Sequence, residues 1–242
     1  MNDEFANIAA YYDELYVKPE QYQREAARAS VLIGTYKQSD GNELLDIACG
    51  TGGHISYWRD HYTVTGLDLS PVMLDHAIRK FPTVEFHLGD MVDFVLERRF
   101  DALVCLYGSI GFVRTLENLN KAVSNFAAHL KSGGILCLTP WSTQEEFQPN
   151  IVVDTVKHPH VRISRMENVK RKAPGLIEVD FHHLVGREGI VTYHTQSMEI
   201  GLFSRQQYLD AISNAQLELM EYYEGSDIPM SLFVARKLIH SR

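Results

Sequence analysis

Three aspartates, Asp46, Asp68 and Asp90, each stand at the end of a short apolar run. The first opens onto Ala48-Cys49-Gly50-Thr51-Gly52-Gly53. Glycines at such a corner let the chain turn sharply and let a ligand lie against bare backbone, because no Cβ intervenes. An apolar strand, a glycine turn and a helical pattern through Ile55 and Trp58 make the nucleotide-binding corner of an open α/β sheet.

The chemistry of the ligand follows from two details. A dinucleotide fingerprint needs a third glycine, where this chain has Ile55. Asp46, just before the turn, repels a pyrophosphate and attracts a cation. A ligand with a nucleoside at one end and an ammonium and a sulfonium at the other satisfies both conditions, and that ligand is S-adenosyl-L-methionine (SAM). In this frame Asp46, Ala48, Gly50 and Gly52 form the corner, and Asp68 is placed for the ribose hydroxyls. Asp90 is placed for the adenine amino group with Met91 beside the ring, Leu69 and Met73 cover the adenine, and Leu106 and Tyr107 lie near the reactive methyl.

Those residues need a scaffold, and the chain reads as alternating units. A helix is expected over 3–15 and another over 21–38, the latter with Tyr22, Ala26, Ala29, Ile33 and Tyr36 on one face. Strands are expected at 43–47, 63–67, 84–88, 100–106 and 135–139, separated by helices. Ser70-Pro71 starts one of these helices with a cap residue and a proline in the first turn. Residues 140–202 lose the helical period and alternate apolar with polar at 160–168, 176–185 and 189–200, which predicts a three-stranded antiparallel insertion. A helix over 204–215 precedes strands at 217–223 and 231–237. Their connector is too short for a crossover, so they pair as an antiparallel hairpin.

The expected fold is thus α/β: a Rossmann-like, seven-stranded, mostly parallel sheet with a terminal antiparallel hairpin and a small antiparallel β insertion. Residues 1–140 and 203–242 would form the SAM-binding domain with an N-terminal helical lid, and 141–202 the insertion covering the substrate.

Composition narrows the partners. The 242 residues carry a net charge of −8, which suits a cationic cofactor and argues against a broad nucleic-acid footprint. No apolar run approaches the roughly 18 residues of a membrane span. The N-terminus lacks the basic-then-apolar order of a signal peptide. Cys49, Cys105 and Cys137 lie in predicted core strands without metal or disulfide spacing, as expected of reduced thiols in a cytoplasmic protein. The pairs His158-x-His160 and His182-His183 lack the spacing of a zinc helix, so no metal is expected. A homodimer is left open.

The motifs at 45–52, 66–70 and 89–91 resemble those of class I SAM-dependent methyltransferases. A closer similarity, to the N,N-dimethyltransferases of dTDP-linked amino sugars, runs through Tyr12-Asp13, Tyr22 to Ala27, Gly89 to Phe94, Gly108 to Gly111, Pro140-Trp141, Ile163 to Arg165 and Leu202 to Tyr208. It implies methyl transfer to a small molecule, at nitrogen ahead of oxygen or carbon. It also implies that Tyr22 faces the cofactor and that Ser109, Phe112, Trp141 and Arg165 face the substrate. Phe112 stands where that family tends to have His, and Pro229-Met230-Ser231-Leu232-Phe233 where it tends to have Gly-Arg-Gly-Leu-Phe. The first departure removes a proton acceptor and the second a phosphate contact.

An amine must shed a proton before it attacks, which makes Tyr12, Glu25 and His194 the candidate bases. On the insertion, Glu178, Asp180 and His182 share one strand face while Phe181 and His183 share the other, and one of the two faces roofs the substrate. The Asn-Pro-Pro-aromatic tetrapeptide expected of an adenine methyltransferase of DNA is absent after the fourth strand. Two competing readings are a SAM-binding protein without catalysis and a dinucleotide oxidoreductase.

Overall fold

The structure is a computed structural model that describes residues 8–16, 18–224 and 230–239. The start of the predicted first helix, with Phe5, and Pro229 in the last connector lie outside the described residues.

A seven-stranded sheet carries the molecule, in the order β10-β11-β5-β4-β1-β2-β3. Its strands are β1 (Glu43–Ile47), β2 (Thr63–Asp68), β3 (Glu85–Leu88), β4 (Phe100–Gly108), β5 (Leu130–Pro140), β10 (Leu217–Tyr223) and β11 (Leu232–Lys237). The first five are parallel, whereas β11 runs antiparallel to both β5 and β10, as the short connector requires. Buried on both faces, β1 and β4 are almost wholly apolar, with Leu44, Leu45, Leu103 and Val104 at no exposure. The strand order reverses between β1 and β4. Parallel sheets open a ligand crevice at such a switch point, beyond the carboxyl ends of the strands.

Helices cover both faces. They are α1 (Tyr12–Tyr16), α2 (Pro19–Tyr36), α3 (Ile55–Trp58), α4 (Pro71–Lys80), α5 (Leu116–His129) and α6 (Arg205–Asn214). The α2 face predicted to be apolar packs inward, with Tyr22, Ala26, Ala29 and Ile33 buried. Trp58 is fully buried beneath it, and its indole N–H donates to Ala26 O at 3.2 Å. At α4, Ser70 Oγ accepts from Met73 N at 3.1 Å. At α6, Ser204 and Gln207 form a reciprocal capping box. Ser204→Ala is expected to cost about 1 kcal/mol, read as a lower denaturant midpoint at unchanged slope.

The insertion has four strands where three were expected: β6 (Asn150–His158), β7 (Val161–Ala173), β8 (Leu176–Arg187) and β9 (Ile190–Gly201), paired in that order. The added strand is the edge strand β6. Its Ile151 and Val153 are exposed, which blurs the apolar-in, polar-out contrast that reveals a strand in a sequence. The strand expected at 135–139 begins earlier, at Leu130, and takes in Gly133-Gly134 at an irregularity between Leu130 and Ile135. One face of the insertion packs on α1 and the turn before it, through Ile8, Tyr11 and Leu15 against Val161, Ile163 and Val185.

Candidate functional site

At the switch point a cavity opens between β1, β4 and the N-terminal helices. Its walls include Tyr12, Tyr22, Asp46, Ala48, Gly50 and Leu106, all singled out from the sequence, together with Ser109. Tyr107, expected near the reactive methyl, lines it too, and Cys49, Thr51, Gly53 and His54, which carry no role in the sequence reading, complete it. The backbone signals their role. Ala48 and Tyr107 hold left-handed conformations, at φ 56° and 58°, which non-glycine residues avoid unless their surroundings impose them. Both sit just past the carboxyl end of a central strand or at its last residues, where the crevice begins. At Gly53 an added Cβ would come within 2.5 Å of the Tyr22 ring. This glycine therefore lets α2 close on the loop.

Asp46 is the chemical centre of the cavity. It is 3% exposed, and its Oδ2 has no hydrogen-bond partner among the described residues. Burial, then the charge of Asp68, pushes its carboxyl well above the usual range. Asp68 holds the loop by accepting from Gly50 N at 2.7 Å and from Ser70 N at 2.8 Å. Three phenols face these carboxylates. Burial raises Tyr12 and Tyr22, and burial followed by the charge of Glu25 pushes Tyr107 up to about 12. All three therefore stay neutral at physiological pH. Neutral aromatic rings around a buried carboxylate suit a cation.

Behind Tyr22 lies a buried carboxylate–imidazole pair. His54 Nε2 is 2.8 Å from Glu25 Oε2, and Gln21 Nε2 donates to the other oxygen at 2.9 Å. The His54 ring stacks between Tyr22 at 4.3 Å and Trp58 at 5.4 Å. Glu25 is thereby committed to His54. His194 lies apart from the cavity walls on β9, 3.0 Å from Thr192 Oγ1 and beside Tyr11.

The remaining assigned residues are dispersed. Gly52 turns toward Phe81. Leu69 is 51% exposed beside Asp68, whereas Met73 is buried in α4. Asp90 Oδ1 accepts from Val92 N at 2.9 Å, and Met91 is half-buried against the core. Phe112 and Trp141 pack with Phe181 on the insertion. Arg165 is buried, with Nη1 at 3.0 Å from Glu167 and Nη2 at 3.4 Å from Asp154. No group of three or more His, Cys, Asp or Glu able to hold a metal occurs among the described residues.

The helix α1 closes the cavity. Asp13 accepts from Thr51 Oγ1 in the glycine loop and, at 2.5 Å, from Lys80 Nζ on α4. Its other end joins the insertion, where Tyr16 Oη donates to Glu167 at 3.2 Å. Asp13→Ala is expected to raise the KM for the cofactor roughly 3- to 10-fold with a smaller change in kcat, since it loosens a closure rather than a reacting group. Steady-state kinetics at saturating acceptor measures this.

Residues 44–134 match the family model described as a methyltransferase domain. The chain is 36% identical to the dTDP-3-amino-3,6-dideoxy-alpha-D-glucopyranose N,N-dimethyltransferase of Streptomyces fradiae, over 96% of this chain and 91% of that protein. It is 34% identical to a dTDP-3-amino-3,4,6-trideoxy-alpha-D-glucopyranose N,N-dimethyltransferase of Streptomyces venezuelae, over 93% and 96% of the two chains. Among solved structures, Streptomyces venezuelae DesVI aligns with a TM-score of 0.88 at 33% identity, covering 95% of this chain and 98% of that one. The SAM-bound amino pentose methyltransferase from Micromonospora echinaspora aligns at 0.84 with 31% identity, covering 98% and 99%.

Proposed function

This chain belongs to the family of SAM-dependent methyltransferases that includes the dTDP-amino-sugar N,N-dimethyltransferases, and from that premise we propose that its acceptor is the amino nitrogen of a nucleotide-linked sugar. It is an enzyme that moves a methyl group from SAM to a small molecule. The observation that carries the reading within this chain is the unpartnered Oδ2 of Asp46, facing a cavity walled by neutral phenols.

The residues present fit the cofactor. When bound, SAM supplies a methyl already activated by a sulfonium. Asp46 would take its ammonium, replacing the missing partner with a charge-assisted hydrogen bond. The bare backbone from Ala48 to Gly50 admits the ligand. Asp68, already turned toward this loop, would share its oxygens with the ribose hydroxyls, and Asp90 would accept from the adenine amino group. Leu69, Met73 and Met91 would flank that ring, while Gly52 keeps the corner tight and Leu106 packs near the sulfonium. Tyr22, stacked on His54, holds a phenol against the sulfonium end.

Catalysis then needs alignment. Holding nucleophile and methyl in line at about 3 Å supplies several kcal/mol. Tyr12 and Tyr107 narrow the approach, and Ser109, Phe112, Trp141 and Arg165 would orient the acceptor. Of the candidate bases Tyr12 stands nearest the amine, but its phenol remains protonated, so it would orient the amine by accepting an N–H at its hydroxyl oxygen while the proton passes to water. Glu25 serves as a positioning residue through His54.

Residues 1–140 with 203–242 are proposed as the cofactor unit and 141–202 as the acceptor cover. A homodimer is proposed from the outward insertion face, where Val153, Met166, Leu184 and Tyr193 are exposed in neighbouring strands. Light scattering at micromolar concentration tests it, and a strict monomer contradicts it. The free, buried Cys49, Cys105 and Cys137 suit a cytoplasmic setting. No described helix is long and apolar enough to cross a membrane.

The test is turnover, followed by mass spectrometry, of SAM with dTDP-3-amino-3,6-dideoxy-alpha-D-glucopyranose, its 3-hydroxy counterpart and a panel of simple amines. Methylated amino sugar with unmodified hydroxy sugar is expected. Methylation of the simple amines alone would contradict the nucleotide-sugar reading.

A further inference from the structure

Between the N-terminal segment and the inward face of the insertion lie three buried polar atoms without a hydrogen-bond partner among the described residues: Tyr11 Oη, Arg165 Nε and His183 Nε2. Beside them stands Glu167, which Arg165 Nη1 at 3.0 Å and Tyr16 Oη at 3.2 Å both engage at Oε1. All four residues are more than nine-tenths buried: Tyr11 is 4% exposed, His183 1%, and Arg165 and Glu167 8% each. Buried polar atoms are almost always paired, so three orphans beside a carboxylate held at one oxygen mark a place built for a ligand.

Register shows that they share one surface. Across the sheet, Arg165 pairs with Asp154 on one side and His183 on the other, and Glu167 pairs with Phe181. Directly paired residues point to the same face. That face meets Tyr11, whose ring lies 6.1 Å from His183. Glu178 and Asp180 belong to the opposite face, where they are tied to Lys170 and Lys172.

The surface also adjoins the methyl-transfer cavity. Tyr12, a cavity wall, lies 4.9 Å ring to ring from Tyr16, which bonds Glu167. The inward face carries the carboxylates of Glu167 and Asp154 and the guanidiniums of Arg165 and Arg187, the latter donating to Ala10 O at 3.3 Å. Lys18, 60% exposed, reaches Asp154 at 3.7 Å. Glu167 Oε2 can only accept while ionised, so it calls for an N–H- or O–H-donating guest. The neighbouring apolar group of Phe112, Trp141 and Phe181 offers it no acceptor atom.

We infer that Glu167 receives an N–H of the acceptor's amino group at Oε2, with Arg165 and Tyr16 clamping Oε1 so that the carboxylate keeps one orientation, and with Tyr11 and His183 receiving an adjacent hydroxyl. The assignment rests on the amine-methylating reading above. An amine bound in this way, once neutral, keeps its lone pair for the methyl. A site built to accept N–H discriminates strongly against an analogue that lacks it.

The experiment is calorimetric binding, in the presence of S-adenosylhomocysteine, of the 3-amino nucleotide sugar and its 3-hydroxy counterpart. The parent protein should prefer the amino sugar at least 10-fold. Glu167→Gln should lose that preference, binding the amino sugar roughly 10- to 100-fold more weakly and the hydroxy sugar within about 2-fold of the parent. Glu167→Asp should recover part of it. Unchanged S-adenosylhomocysteine affinity confirms that the variants are folded. A purely structural clamp would weaken both sugars together. Equal weakening, a preserved preference in Glu167→Gln, or no preference in the parent overturns the assignment. Transfer of label from SAM to the amino sugar by the parent, measured separately, tells failure of this assignment from failure of amine methylation itself.

Discussion

Asp46→Asn is expected to weaken SAM binding by about 100-fold and, in the same protein without ligand, to raise the unfolding temperature. The two effects share one cause. In the ligand-free fold the Asp46 carboxylate is buried, its Oδ2 is unpaired, and Asp68 stands nearby with like charge. Its folded pKa therefore lies above the unfolded value of 3.8. A raised carboxylate pKa means that the folded state binds more protons than the unfolded state. Asp46 thus costs nothing below the unfolded pKa and becomes progressively destabilising as pH rises from there through the folded pKa. The amide escapes this penalty, a gain of about 1 kcal/mol or more, corresponding to about 2–4 °C in a chain of this size. The cofactor's ammonium normally offsets the same penalty, and losing a buried charge partner costs about 2–5 kcal/mol of binding. For the parent, the thermal shift produced by SAM should grow as pH increases across this window, whereas in Asp46→Asn it should be small and flat. A variant that keeps full SAM affinity would remove Asp46 from the ammonium site.

The second large effect is expected at Glu25. Removing one partner of a buried carboxylate–imidazole pair leaves the other unsatisfied, at a cost of about 1–3 kcal/mol. Glu25→Ala should therefore lower the unfolding temperature by roughly 2–12 °C. His54→Ala should do much of the same damage, because the imidazole also stacks between Tyr22 and Trp58. The double variant should fall well short of the sum, with a coupling of at least about 1 kcal/mol. Additive losses would mean that the 2.8 Å contact carries no energy. Glu25→Gln separates support from chemistry. It keeps a hydrogen bond to His54, so kcat should fall far less than for the removal of a reacting base, and its pH profile should keep the parent's shape.

These expectations show how unevenly the molecule could be read from residues alone. Strands β1, β2 and β4 were legible because burial on both faces makes them continuous apolar runs that end in Asp, Gly or Tyr at the crevice. The hairpin of β10 and β11 was legible from connector length. Strand β6 was not, since it is an edge whose apolar side chains face outward. Half of the cofactor cavity announced itself through the glycine corner and Asp46. His54 stands in the same corner, yet its meaning depends on Glu25, 29 residues earlier. Glu167 was harder still. On β7 it stands between Met166 and Asn168, with Arg165 and Val169 two residues away, and nothing in that pattern marks it. Only the docking of α1, through Tyr16 at a separation of 151 residues, turns its face inward. Contacts of that range belong to packing and leave no local pattern.

The most direct test of the central claim is methyl-carbon-labelled SAM incubated with dTDP-3-amino-3,6-dideoxy-alpha-D-glucopyranose and followed by carbon-proton correlation NMR. The predicted result is a labelled methyl correlated with the amino-bearing ring carbon, its build-up lost in Asp46→Asn. Label on a ring oxygen or carbon, or no label on the sugar while SAM stays tightly bound, would contradict it.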